Sequence, residues 1–137
     1  MAEDANTSPF TISIVGDVTE EKWYGDFSAK KRLSHRDQLR KDQLRRELLG
    51  SQAGAPTERA LSTAMILSEL SVRLTKTPSW WTEKGEGLDF ADDNIIGTVF
   101  DAAMKVERDA ADEKKKRAEE ALKAMREEAK LAESEAK

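Results

Sequence analysis

Hydrophobic and polar residues alternate along the first part of the chain and then change to a helical period. The alternation covers residues 10–15 and residues 22–29, and a period of two is typical of half-buried strands. A short link that contains Gly16 and Asp17 separates the two runs, so they predict a β-hairpin. Because a lone hairpin is marginal in water, we expect its apolar face to pack on helices or to pair with a strand of another chain.

The first helical segment has clear signals at both ends. Ser34 is a favourable N-cap residue, and Asp37 occupies the third helical position, which is close to a capping box. The helix is predicted to end at Leu49, because the following Gly50 is a common C-terminal residue.

Two further helices are predicted. The second begins after Thr57 and runs to about Lys76, where Pro78 prevents continuation. It carries apolar residues on nearly all sides, which predicts a buried central element. The last helix begins at Asp92 or Asp93 and meets no break signal before the C terminus.

These elements predict an α+β chain that is mainly α. An N-terminal β-hairpin packs on a small helical bundle, and a long charged helix forms the C terminus. We expect residues 1–9 to be disordered, residues 10–104 to form the hairpin plus helical core domain, and residues 105–137 to form a charged helical arm.

The predicted arm is rich in charge and poor in apolar residues. It contains ten Lys or Arg and ten Asp or Glu, with no Gly, Pro or aromatic residue. Alanines, Leu122 and Met125 recur at spacings of three and four, but so thin a seam buries little area, and we do not expect a stable homotypic coiled coil. Pairing with a partner's helix and a solitary helix with internal ion pairs such as Glu119–Lys123 both remain open.

Composition restricts the class of protein. The 137 residues are 38% hydrophobic and 36% charged, the net charge is −4, and there is no cysteine. One small domain with an extension fits this length, and disulfides, thiolate metal sites and a cysteine nucleophile are excluded. The polar, acidic start does not resemble a signal peptide, and no apolar run is long enough for a membrane helix. We therefore expect a soluble intracellular protein with no membrane partner.

The first predicted helix is strongly basic. Residues 30–47 contain eight basic and three acidic residues. Nucleic acid is not the expected partner, because acidic residues interrupt the cluster and no aromatic residues are interleaved as stacking platforms. An acidic surface of another protein, or of this chain itself, is the favoured interpretation.

Trp80 and Trp81 are adjacent in a loop, so their rings are expected to point in different directions. One ring would pack between the hairpin and the helices, and the other would serve as a partner-facing anchor, although burial of both stays open. The candidate partner-binding residues are Arg36, Arg40, Lys41, Arg45, Trp80 and Trp81.

No pattern in the chain indicates catalysis. There is no Gly-rich phosphate loop and no nucleophile elbow, and His35 is the single histidine. The carboxylates of Asp89, Asp92 and Asp93 lack the spacing of an EF-hand loop, and helix capping accounts for them. We expect no catalytic residue, no metal and no cofactor.

Several short patterns occur in an order that resembles small morphogenesis proteins of tailed bacteriophages, in particular tail assembly chaperones. The resemblance covers about residues 10–107. The patterns that carry it, besides the hairpin, are Leu33-Ser-His-Arg-Asp-Gln-Leu39, Arg45-Arg-Glu-Leu-Leu-Gly50, Leu70-Ser-Val-Arg-Leu74, Pro78-Ser-Trp-Trp81 and Asp93-Asn-Ile-Ile96.

This resemblance implies a non-enzymatic protein of virion morphogenesis in the host cell cytoplasm. Such a chaperone coats the helical tape measure protein and recruits tail tube subunits. The charged arm is not part of the resemblance, which leaves open a structural head or tail subunit of the virion, with self-association as a further option. A small nucleic-acid-binding accessory protein is the third alternative.

Overall fold

A computed structural model describes residues 5–50 and 55–135. Its elements show a mixed α+β chain that is mainly helical, as the sequence predicts. They are β1 (Thr7–Val15), β2 (Lys22–Lys30), α1 (His35–Leu49), α2 (Glu58–Arg73), β3 (Leu74–Lys76), α3 (Ser79–Glu83), a 3₁₀ turn (Gly85–Gly87) and α4 (Asp93–Glu135).

The predicted hairpin is confirmed. β1 and β2 pair antiparallel from Thr7↔Lys30 to Val15↔Lys22, and Ile12 and Phe27 of this hairpin lie in the core. Residues 1–9 were predicted to be disordered, but β1 begins at Thr7, so residues 7–9 belong to a strand. Residues 1–4 of that segment lie outside the described residues.

A third strand was not predicted. α2 ends at Arg73, and Leu74–Lys76 pairs antiparallel with β2 to give the sheet order β1-β2-β3. The expected continuation of the helix to about Lys76 is therefore wrong, because the backbone of these residues bonds to β2 instead. α2 is also buried mainly in its C-terminal half, while Met65 is half exposed.

The core joins one face of the sheet to α2, α3 and the first part of α4. Phe27, Ile95 and Val99 are fully buried there. Val106 packs on the same cluster, and the compact unit accordingly extends to Glu107. The predicted end of the core domain, residue 104, lies slightly early for this reason.

The second unit, Arg108–Lys137, contains the remainder of α4. Its described side chains are exposed apart from the partly covered Ala110. Leu122, Met125 and Leu131 are the large apolar residues that it leaves exposed.

Candidate functional site

A groove runs between the end of α1, one face of α2 and the turn that precedes α4. It consists of two adjoining pockets of about 340 and 190 Å³, and Leu48, Leu67 and Leu88 line both. The three leucines come from three different elements, so the fold assembles an apolar strip that no single segment carries. Besides the leucines shared by both pockets, the lining residues are Leu44, Glu47, Thr57, Arg59, Ala60, Thr63, Ala64, Ser68, Ser71, Gly85 and Glu86.

The Gly85–Gly87 turn positions one wall of this groove. Gly85, Glu86 and Gly87 all have positive φ, at 61°, 57° and 102°, a conformation that glycine adopts without steric cost. Gly87 also lies so close to the core that an added Cβ would come within 2.8 Å of the Leu67 side chain. The turn therefore packs tightly, and the next residue, Leu88, is left 58% exposed.

The four basic candidates on α1 divide into two pairs. Lys41 Nζ lies 3.1 Å from Glu69 Oε2 of α2, and Arg45 bonds Asp42 within its own helix. Arg36 and Arg40 are exposed, and no ion pair engages either within residues 5–50 and 55–135. Lys41 thus attaches α1 to α2, whereas the two arginines are available to a partner.

The tryptophan pair lies on the short helix α3 rather than in the predicted loop, and both rings pack on the core. Trp81 is 2% exposed, and its ring packs edge-on against Phe27 with centroids 5.7 Å apart. Trp80 is half-buried, and its Nε1 donates to the carbonyl of Tyr24 at 2.9 Å. The expected exposed anchor is absent in this structure, since both rings join an aromatic cluster with Phe90.

A buried ion network connects α2, β2 and α4. Arg73 is 1% exposed. Its guanidinium bonds Glu69 at 2.9 Å, the carbonyl of Lys30 at 2.9 Å and Glu107 of α4 at 3.4 Å. Sequence reasoning missed this network, although a charge on an otherwise apolar helix was a usable signal, because a buried charge requires partners.

The hairpin turn is held by the start of α4. Asp92 is buried, and its carboxylate accepts hydrogen bonds from the backbone N–H groups of Val18 and Thr19 and from the Thr19 hydroxyl. Burial opposes the charged form, but these hydrogen bonds outweigh it and hold the pKa of Asp92 below its ordinary value. Its carboxylate therefore binds the hairpin turn, a role that the expected helix capping did not include.

A second carboxylate orders the start of α1. Asp37 completes the predicted capping box with Ser34. It also bonds Lys30 Nζ at 2.9 Å. The hydrogen bond from Lys30 and those from Ser34 lower the pKa of Asp37, so this end of the helix carries a stable negative charge.

The other titratable candidates do not converge on a reactive centre. Asp93 pairs with Arg59 on the surface, and His35 is an exposed residue of the first turn of α1. Within residues 5–50 and 55–135, no group of three His, Cys, Asp or Glu is arranged to hold a metal ion.

Comparisons with known proteins add no relatives. Neither the family models, nor the curated proteins, nor the solved structures that were searched give a match. In the part of the chain that the structure describes, no helix has the length and apolar character needed to cross a membrane.

Proposed function

We propose that the protein is a non-enzymatic tail assembly chaperone of a tailed bacteriophage, and that it binds an amphipathic helix of a tail protein in the groove. The single observation that carries this proposal is the apolar strip formed by Leu48, Leu67 and Leu88. An amphipathic helix docks in such a groove through apolar residues spaced three and four apart.

Charges at the edge of the groove indicate what such a helix would carry. Glu47 and Glu86 line the smaller pocket, so basic residues are expected beside the apolar stripe of the partner. Arg36 and Arg40 lie on the same helix as Leu48 and are exposed, and they would meet acidic residues farther along. Charge complementarity of this kind selects a partner and its orientation more than it adds affinity.

The occupant to which we commit is a helical segment of the tape measure protein. The resemblance implies this partner, and a long, aggregation-prone helical protein needs its apolar stripe covered before assembly. A groove with three leucines meets that need, because it removes apolar surface from water without a permanent interface.

The test is co-expression with the tape measure protein encoded in the same genome. We expect the soluble fraction of that protein to rise with the wild-type chain and with Leu39→Asp, and not to rise with Leu88→Asp. Leu39 is the matched control, since it is exposed on α1 and does not line the groove.

Two outcomes would contradict the proposal. Equal loss of the effect with both variants would show that the groove is not the contact. Stoichiometric presence of the protein in purified particles would favour a structural subunit of the virion over a chaperone.

A further inference from the structure

β1 is an edge strand of the sheet, and its composition is unusual. β1 contains no charged residue in Thr7–Val15, although 36% of the chain is charged. Edge strands of monomeric proteins are commonly protected by charges, because unpaired backbone groups attract other strands. The absence of charge on this edge is therefore a feature to explain.

The hydrogen-bond pattern shows which residues face the open edge. The hairpin bonds Gly16 N to Glu21 O and Lys31 N to Asn6 O. Because bonded and non-bonded pairs alternate in an antiparallel ladder, the even-numbered residues of β1 bond to β2. The backbone groups of the odd-numbered residues point to the open edge.

At two of these odd-numbered positions, one backbone group is not available for pairing with another strand. Pro9 has no N–H to donate. The carbonyl of Val15 already accepts a hydrogen bond from Asn94 Nδ2 at 2.9 Å, and the same amide accepts from Asp17 N at 3.0 Å. Between them, Thr11 and Ser13 have no partner for their outward backbone groups within the described part of the chain.

We propose that β1 pairs antiparallel with β1 of a second copy of this chain, with the two-fold axis at Ile12. Thr11 then faces Ser13 of the second copy, and Pro9 faces its Val15. In this register Pro9, which has no N–H to donate, lies opposite the Val15 carbonyl, which already accepts a hydrogen bond from Asn94. The Val15 carbonyl therefore does not need a donor from Pro9. About six interchain hydrogen bonds form, four between Thr11 and Ser13 and two from Val15 N–H to Pro9 O.

Other registers leave groups unpaired. A shift of two residues in one direction places Pro9 opposite Ser13, whose carbonyl then lacks a donor. A shift in the other direction places Thr11 opposite Val15, whose carbonyl is already occupied. Asn94 also fills the edge position beyond Val15 and so ends the pairing there.

Side chains favour the same arrangement. Phe10 and Ile14 are only half-buried on the core face, and the two-fold register places each beside the other from the second copy. On the opposite face Thr11 and Ser13 are directly cross-strand, where uncharged residues pair without repulsion. The result is a continuous six-stranded sheet across two chains.

The test uses two double variants of the full chain that carry the same number of charged residues in β1. Thr11→Lys with Ser13→Lys places lysines opposite lysines, whereas Thr11→Lys with Ser13→Glu places each lysine opposite a glutamate. Sedimentation equilibrium is measured for the wild type and both variants, and circular dichroism verifies the fold of each.

We expect the wild type and the Lys/Glu variant to dimerise, and the Lys/Lys variant to have a dimer Kd raised about tenfold relative to the Lys/Glu variant. A wild-type chain that stays monomeric at 100 μM, or equal dimer Kd values for the two variants, would overturn the proposal. Neither outcome bears on the groove, so this pairing is tested independently of the proposed function.

Discussion

The core between the sheet, α3 and α4 contains side chains that water does not reach, whereas α1 has no buried residue at all. In the first region Phe27 stacks on Phe10 and packs edge-on against Trp81, and Val99 of α4 completes the layer. In the second region two ion pairs, Lys30–Asp37 and Lys41–Glu69, join α1 to β2 and to α2. Leu44 of α1 is only partly buried.

The two regions differ in how strongly their contacts resist change. Buried aromatic packing is insensitive to salt and costly to disturb, whereas partly exposed ion pairs contribute little and are screened by salt. Because Leu48 of α1 lines the groove, the wall that would receive a partner belongs to a helix with no buried residue. A partner helix could therefore adjust α1 without disturbing the sheet.

The largest expected effect tests the rigid side of this comparison. Phe27→Ala should lower the free energy of unfolding by about 3–5 kcal/mol, since it removes a fully buried ring and leaves a cavity. Urea denaturation measures this loss. Leu39→Ala on α1 is the control and should change the value by less than about 0.5 kcal/mol. A small effect of Phe27→Ala would mean that the aromatic cluster does not dominate stability.

An intermediate effect is expected at Asp92, which fastens the hairpin turn to α4. Its pKa is lowered in the folded protein, so the charged carboxylate stabilises the fold fully above the ordinary value of 3.8 and less as the pH falls through the folded pKa. Asp92→Asn should therefore be less stable than the wild type at pH 7. The two stabilities should converge as the pH falls below 3.8 and through the lowered pKa of the folded protein, where the wild-type carboxyl also becomes neutral.

Denaturation curves recorded from pH 7 down to pH 3 provide the measurement. Asp93→Asn is the matched control, because the ion pair of its carboxylate with Arg59 is exposed to solvent. If Asp92→Asn matched the wild type at pH 7, the turn would not depend on this carboxylate.

Features set by neighbouring residues were predictable from the sequence. The alternation of residues 10–15 is a local pattern, and the capping box places Ser34 and Asp37 within one helical turn. Both predictions are confirmed. The α+β, mainly helical class follows from the same local signals.

Features that join distant residues were not predictable. β3 forms because Leu74 and Lys76 meet β2 across many intervening residues, and no local pattern distinguishes them from the end of a helix. The groove likewise needs Leu48, Leu67 and Leu88 together. One of the two tryptophans was expected to face a partner, because Trp is common at interfaces, but Trp81 is buried and Trp80 is half-buried. Their rings pack against Phe27 and Phe90.

The smallest expected effect tests the weakly held side. Lys41→Met removes the ion pair with Glu69 and should lower the free energy of unfolding by about 0.5–1 kcal/mol at low salt. The difference from the wild type should become smaller in 1 M NaCl but should not vanish, because salt screens a partly buried pair less than an exposed one. Arg40→Met, at the adjacent exposed position, is the control and should have a smaller effect. A loss as large as that of Phe27→Ala would show that α1 is as firmly held as the sheet, and the groove would then have a rigid wall.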